Sequence, residues 1–273
     1  MFNGVADMSS SCWGLADEGE TEGDGRQWSM GALSPQRQAM HTPVLTIDER
    51  RNIESGAWFS KLSLALRTAI LSRALVRRLA DGAALAQRGA MAEEWCGVAM
   101  GAVRISSVSL SGKQVTLTYS EPGTWFGDIA LFDGLPRTHD ADAHGATTLL
   151  VLRKPDFKEL LQQHVELYDA LLRLNCRRLR LMFDQFEDLN TRPLQARLAK
   201  QILLLAKSYG TVEGAEIRIG LALAQEDLAQ LLGASRQRVN QELKGFEREG
   251  AVRVEPTRLV VLSREKLLAA ADR

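Results

Sequence analysis

The sequence predicts an α+β protein: an N-terminal antiparallel β-roll, a long dimerisation helix and a C-terminal winged helix-turn-helix. Three observations carry this reading. Between Gly82 and Phe157, short apolar runs are broken by glycine at near-regular spacing (Gly82, Gly89, Gly97, Gly101, Gly112, Gly123, Gly127, Gly134, Gly145), the pattern of many short strands joined by tight turns. From Tyr168 to Leu189, apolar residues recur at alternating intervals of four and three, the signature of a coiled-coil seam. Residues 222–249 read as two short helices joined by a tight turn, with a β-hairpin after them.

The 273 residues suffice for two modest domains and a tail, each domain able to bury its own core. The expected boundaries are 1–45 for a tail, 46–163 for the roll, 164–191 for the dimerisation helix and 192–273 for the winged domain. The tail is rich in Gly, Ser and acids without sustained periodicity, and is expected to be disordered. Met30 and Met40 leave open a later natural start. No apolar run approaches the ~20 residues of a membrane span, and no basic start precedes an apolar stretch, so no secretory signal is read. Three widely spaced cysteines, Cys12, Cys96 and Cys176, make no disulfide framework. A cytoplasmic location is expected.

Net charge is zero, but it is unevenly spread. Residues 1–45 hold six acids against Arg26 and Arg37. From Arg192 to Arg273, fourteen Lys and Arg face ten Asp and Glu, a net of +4 that suits a phosphate-bearing partner.

Within the roll, Phe59 to Leu79 carries helical spacing (Phe59, Leu62, Leu66, Ile70). Val103–Val108 and Val115–Tyr119 flank a Ser-Gly turn and read as a hairpin; Thr148–Leu152 reads as a last buried strand. Helix returns at Pro155. The seam comprises Tyr168, Leu172, Asn175, Leu179, Met182, Phe186 and Leu189, with Asn175 as one polar core position expected to meet its symmetry mate and fix register. The alternative is a helix packed only on its own domain. Thr191-Arg-Pro193 ends this helix; Asn190 or Thr191 can cap and proline opens the next. Leu194, Leu198, Ile202 and Leu205 line a helix ending near Gly210. A short strand (217–219), the helix-turn-helix and a hairpin of Val252–Val254 and Leu259–Leu262 complete the winged helix.

In the helix-turn-helix, the first helix carries small Ala229 and Gln225, the latter expected among the DNA-binding residues. Gly233 permits the turn, Ser235 caps the second helix, and Val239, Leu243 and Phe246 form its inner stripe. At ~100° per residue, Gln237, Gln241, Lys244 and Arg248 lie opposite that stripe, with Arg236, Arg238 and Asn240 on its flanks. A face of Arg, Gln, Asn and Lys suits base edges and phosphates of double-stranded DNA. Arg253 or Arg258 of the wing is placed to touch backbone phosphate.

The string Gly-Thr-Trp-Phe-Gly-Asp-Ile-Ala-Leu-Phe-Asp-Gly-Leu-Pro-Arg-Thr (123–138) is the most specific in the first half. Main-chain N–H groups following Gly127, at Asp128 and Ile129, can form an anion nest with Arg137 as the fixed cation. Asp128 can take a ribose hydroxyl and Thr138 a phosphate oxygen; the alternative is a simple Asp128–Arg137 pair inside a tight loop.

With these motifs in place, the chain from about Phe59 onward resembles the Crp/Fnr family of bacterial transcription regulators. The glycine-punctuated roll with its Phe-Gly-Asp-Ile-Ala-Leu-Phe string, the long helix, and Ala-Ser-Arg-Gln-Arg-Val-Asn-Gln-Glu-Leu-Lys carry the likeness. The resemblance implies a homodimer that contacts RNA polymerase, an effector bound in a cyclic nucleotide-binding-like roll beside the dimer helices, and recognition helices in successive major grooves. It matches Arg137 to a phosphate-binding arginine and Arg236, Gln237 and Gln241 to base-reading positions. It also exposes departures. Asp128 stands where cAMP receptors have Glu, His139-Asp140 follows Thr138 where small or apolar residues are usual, and Met182 and Phe183 replace the Thr-Ser pair that holds the adenine amino group. Neither can give a comparable hydrogen bond, so an effector other than cAMP, or none, is expected. The effector is left unidentified. An iron–sulfur cluster wants four cysteines, and the three here show no ligand spacing, so none is expected. His41, His139, His144, His164 and Cys96 are all conceivable haem ligands, and no motif picks one. No Ser/His/Asp set, metal-ligand spacing or phosphate-transfer loop suggests an enzyme. The competing function is a sensor module acting through protein partners without DNA.

Overall fold

The computed structural model describes residues 44–109, 112 and 114–272; the expectation of a disordered tail lies almost wholly outside them. Helix α1 (Ile47–Ser55) starts at Thr46, whose hydroxyl accepts from the Glu49 N–H while Glu49 reaches back to the Thr46 N–H. A 3₁₀ turn (Phe59–Lys61) and α2 (Leu64–Arg73) follow. The roll then forms from β1 (Leu75–Leu79), β2 (Ala84–Ala86), β3 (Glu94–Val108), β4 (Gln114–Ser120) and β5 (Trp125–Phe126). After α3 (Asp128–Asp133), β6 (Asp140–Arg153) closes it. The sheet order is β1-β6-β3-β4, with β2 on β6 and β5 on β3. Helices α4 (Lys154–Gln163) and α5 (Glu166–Thr191) leave the roll.

One expectation for this half is corrected and another is met. The helical spacing over Phe59–Leu79 does not give one helix: Ser63 restarts the chain by accepting from the Leu66 N–H, and helix ends at Arg73. Leu75–Leu79 instead pairs with Val151–Thr147 of β6, because a short apolar run fits a helix or a strand and tertiary pairing decides. The expected 103–108/115–119 hairpin is present as the inner part of the longer β3–β4 pair.

Strand β3 is buried on both sides. Trp95 and Ala99 face the helices, in a cluster with Phe59, Trp125, Phe157, Leu167 and Leu171, while Cys96, Val98 and Val103 face the roll interior. Gly97 is required here: a Cβ would fall 2.7 Å from the Trp125 ring. The Trp58 indole N–H donates to Ala170 O at 2.9 Å, tying the helical cap to α5.

Glu49 anchors this cap. It is fully buried, and Arg78 (2.5 Å) and Thr148 (2.8 Å) donate to it. Burial pushes its carboxyl up, but hydrogen bonds from Arg78, the Thr46 N–H and Thr148 prevail and hold it at about 2, below the ordinary 4.5. A folded-state pKa below the unfolded one gives stabilisation that is complete above 4.5 and lost as pH falls toward 2. Thermal melts between pH 5 and 2.5 are expected to show Glu49→Gln losing less stability than the parent. The difference should be about 1–2 kcal/mol, reduced from the full linkage because the outer half of Arg78 is in water. Parallel curves would exclude this role.

The C-terminal half comprises α6 (Leu194–Tyr209), β7 (Gly210–Glu213), β8 (Glu216–Ile219), α7 (Gln225–Leu232), α8 (Arg236–Arg248), β9 (Val252–Glu255), β10 (Arg258–Val261) and α9 (Arg264–Ala271). Its sheet runs β7-β8-β10-β9, all antiparallel. Leu198, Ile202, Leu228, Val239, Leu243, Phe246, Val261 and Leu267 form its core. Sequence periodicity missed β7: all four residues are exposed, so no alternation marks it.

Candidate functional site: the roll–helix junction and the DNA-reading helix

At the junction, β5 pairs Trp125 with Gly97 and delivers the chain to Gly127 at φ +95°. There a side chain would meet Glu94 O at 3.0 Å and the Arg137 guanidinium at 3.5 Å. Helix α3 then starts at Asp128, whose side chain is buried completely. Its carboxylate meets α5: Arg178 Nη1 lies 2.9 and 3.1 Å from the two oxygens, and Asn175 Nδ2 donates at 2.9 Å. Arg178 Nη2 also donates to Trp125 O, and Nη1 reaches Asn175 Oδ1 at 3.2 Å. This cluster bridges roll and long helix.

The geometry selects neither sequence-level alternative for Asp128. It does not pair with Arg137, and its oxygens face α5 donors rather than an open pocket. Arg137 donates to Glu94 O at 3.2 Å and forms no ion pair among the described residues, so its charge is available to an anion. Thr138 turns to His139, Oγ1 to Nδ1 at 2.8 Å. Burial, then the Arg88 charge, lowers the His139 pKa and favours the neutral ring. Gly127, Asp128 and Arg137 are thus brought together, while Ile129, Met182 and Phe183 are exposed. Burial, then the Glu94 charge, pushes the Cys96 thiol up to about 12, so it stays protonated at neutral pH. Among the described residues no His/Cys/Asp/Glu group is arranged to hold a metal ion, and no helix is long and apolar enough to cross a membrane.

Asn175 also departs from its expected place. It faces Asp128 and Leu171 O, not the exposed seam. It belongs to the side of α5 that carries Leu167, Leu171 and Arg178 onto the roll. The remaining seam residues Tyr168, Leu172, Leu179, Met182, Phe186 and Leu189 are exposed, Phe186 to 68%. Arg178 was missed as a site residue. Its signal was available: it continues the 167, 171, 174 spacing of the buried column, where a lone charge requires a buried partner.

In the winged domain, the Ala224 N–H donates to Asp227 at 2.7 Å and opens α7. Gly233 takes φ +61° in the turn, and Ser235 Oγ accepts from the Arg238 N–H. Val239, Leu243 and Phe246 are buried. Arg236, Gln237, Arg238, Gln241 and Lys244 are exposed, Gln225 and Asn240 half-buried, and none of these side chains makes a hydrogen bond or ion pair among the described residues. Of the two wing arginines, Arg253 is committed to Glu216 by bonds of 2.9 and 2.7 Å. Arg258 is exposed and forms no ion pair among the described residues.

A cyclic nucleotide-binding domain matches residues 76–164, and a Crp-like helix-turn-helix domain matches residues 196–270. The chain is 33% identical over 171 residues to a CRP-like cAMP-activated global transcriptional regulator of Mycobacterium tuberculosis, covering 63% of this chain and 76% of that one. This protein belongs to the Crp/Fnr family. It is a family of transcription regulators, not of enzymes, and the domain pair makes this member a DNA-binding regulator. A cyclic AMP receptor protein of Thermus thermophilus is 31% identical over 160 residues, 58% of this chain and 70% of that one. Two solved structures share the fold. A CRP-family regulator of Thermus thermophilus has a TM-score of 0.62 at 24% identity, covering 72% of this chain and 97% of that one. A c-di-GMP responsive global regulator of Xanthomonas campestris has 0.64 at 18%, covering 74% and 100%.

Proposed function

We propose that this Crp/Fnr regulator is a homodimer that reads a two-fold operator through α8, contacts RNA polymerase and responds to an effector held at the roll. The observation that carries the reading is α8 itself. It buries its apolar stripe completely and leaves the side chains of Arg236, Gln237, Arg238, Gln241 and Lys244 without partners among the described residues. A surface of unspent donors on a helix with a rigid inner face suits the major groove.

Arg236 suits guanine O6/N7, and Gln237 and Gln241 suit adenine N6/N7. Gln225 and Ser235 lie at helix starts, Asn240 beside the reading face, and Lys244 and Arg258 serve backbone phosphate. Selection of binding sites from a random duplex pool tests this. Gln241→Ala is expected to relax preference at one position in each half-site and to cost about 1–3 kcal/mol. An unchanged base preference overturns the assignment, and no enrichment with the parent chain overturns DNA reading altogether.

At the roll, Arg137 is the cation for an anionic effector. With Asp128 engaged by Arg178 and Asn175, and with Met182 and Phe183 carrying no side-chain oxygen to accept a hydrogen bond, a ribose hydroxyl and an adenine amino group lack their partners. cAMP is therefore not the preferred effector. Thermal melts with millimolar cAMP are expected to show no dose-dependent rise in Tm; a rise growing with the logarithm of cAMP concentration would refute this.

A further inference from the structure

The roll reaches into the other half of the molecule. Tyr119 of β4, 8% exposed, and Ala102 of β3 join the apolar cluster built by Leu228, Ala229 and Leu232 of α7 with the rest of the winged domain. Polar contacts surround this insertion. Thr116 Oγ1 of β4 donates to Gln230 Oε1 of α7 at 3.0 Å. The His144 ring meets the Tyr119 ring edge-on at 4.9 Å, and His144 Nε2 donates to Ala222 O at 2.5 Å, in the loop that enters α7. Asp227 of α7 also faces Tyr119. The roll thus holds the side of α7 that bears Asp227 and Gln230, opposite its own core face. Among the described residues, Arg236, Gln237, Arg238, Gln241 and Lys244 of α8 make no side-chain hydrogen bond or ion pair with the roll.

In a helix-turn-helix the second helix enters the groove while the first crosses the DNA backbone. A β-hairpin seated on the first helix occupies space that the backbone needs. The contact also carries its own penalties. Tyr209 Oη is buried beside it with no hydrogen-bond partner among the described residues, and Glu121, next to β4, is buried enough to raise its carboxyl despite Lys207 nearby. Buried polar groups left short of partners disfavour the closed arrangement and regain water when it opens. Contacts this few, set against those costs, hold two elements together without locking them. Strand β3 links the contact to the effector end: its first residue, Glu94, accepts the Arg137 hydrogen bond, and Ala102 lies at the α7 contact.

We propose that the β3–β4 hairpin is a catch that holds the helix-turn-helix by α7, so that roll and DNA compete for this helix and DNA binding requires the catch to open. The proposal rests on the DNA-reading function above. Gln230→Ala and His144→Ala, singly and together, remove its polar contacts without touching the reading face. Hydrogen exchange of residues 222–232 is expected to quicken, and affinity for the selected duplex to rise three- to tenfold in the double variant. Quicker exchange with unchanged or weaker DNA affinity overturns the catch, as does unchanged exchange. In a background with Cys12→Ser and Cys176→Ser, Thr116→Cys with Gln230→Cys joined by a reducible bismaleimide should lose at least tenfold in DNA affinity and regain it on reduction. A linked protein that binds DNA like the reduced one, or a pair that cannot be linked, also overturns the proposal. If the parent chain binds no duplex, DNA reading fails, while exchange in α7 still reports whether the hairpin holds it.

Discussion

Replacing Asp128 with alanine is expected to destabilise the protein by about 3 kcal/mol, the largest loss from any single polar side chain here. The carboxylate is wholly buried and is the common acceptor for Arg178 and Asn175. Its removal leaves a guanidinium and an amide facing a space closed by α3 and α5. Removing one partner of a buried pair costs ~3–5 kcal/mol, because the other charge stays behind without compensation. The lower end applies because 32% of the Arg178 side chain remains in contact with water. Asp128→Asn keeps one acceptor for Asn175 but not the charge, so it should fall between parent and alanine. Chemical denaturation of Asp128→Ala, Arg178→Ala and the double variant gives the coupling: the double variant is expected to lose far less than the sum of the two. Strict additivity, or a loss under about 0.5 kcal/mol for Asp128→Ala, would show that the bridge contributes little.

The same bridge explains what the sequence could and could not tell. Heptad counting assigns each residue of α5 a side, and it placed Leu172, Leu179, Met182, Phe186 and Leu189 on one stripe, all of them exposed in the structure. It placed Asn175 with them, because 175 completes the 4-3 alternation. The period cannot reveal that α3 sets a buried carboxylate beside this turn of helix, one column round from the stripe; that depends on where a six-residue helix lands after a glycine with positive φ. The turns of the roll were legible for a local reason: tight reversals need residues such as Gly82 and Gly123 that reach φ of +74° and +86°. Leu75–Leu79 was not legible, since five residues do not distinguish a helix end from a strand that pairs some 70 positions away. In the winged domain, capping and turn chemistry at Ser235 and Gly233 is local, so the reading helix was found with its boundaries. The commitment of Arg253 to Glu216 is a cross-sheet pairing, and only Arg258 remains of the two wing arginines proposed for phosphate.

Paired substitution of Leu179 and Phe186 by glutamate is expected to convert a dimer into a monomer at micromolar concentration and to weaken operator binding at least 100-fold. Both side chains lie on water-exposed α5, at 49% and 68% exposure, in a stripe with Leu172, Met182 and Leu189. The opposite side of the helix is already used: Leu167 and Leu171 are buried against the roll and Arg178 is held by Asp128. A 26-residue helix with one side packed and another apolar in water is incomplete as a monomer. In the proposed homodimer, a second copy turned about a two-fold axis covers that stripe with its own equivalent. Burying a Leu or Phe side chain contributes ~1.5–3 kcal/mol. Four such side chains in the dimer, replaced by four like charges brought together, remove more than an interface of this kind can spare. Operator affinity falls with the dimer because the second recognition helix loses the high effective concentration that the seam gives it, a factor of ~10²–10⁴. Light scattering after gel filtration and titration of a palindromic duplex read the two effects. Circular dichroism should stay near the parent, since the roll-facing column is untouched. A dimeric mass retained by the double variant would place the interface elsewhere. A monomer that binds the duplex as tightly as the parent would mean that one α8, acting alone, accounts for operator recognition.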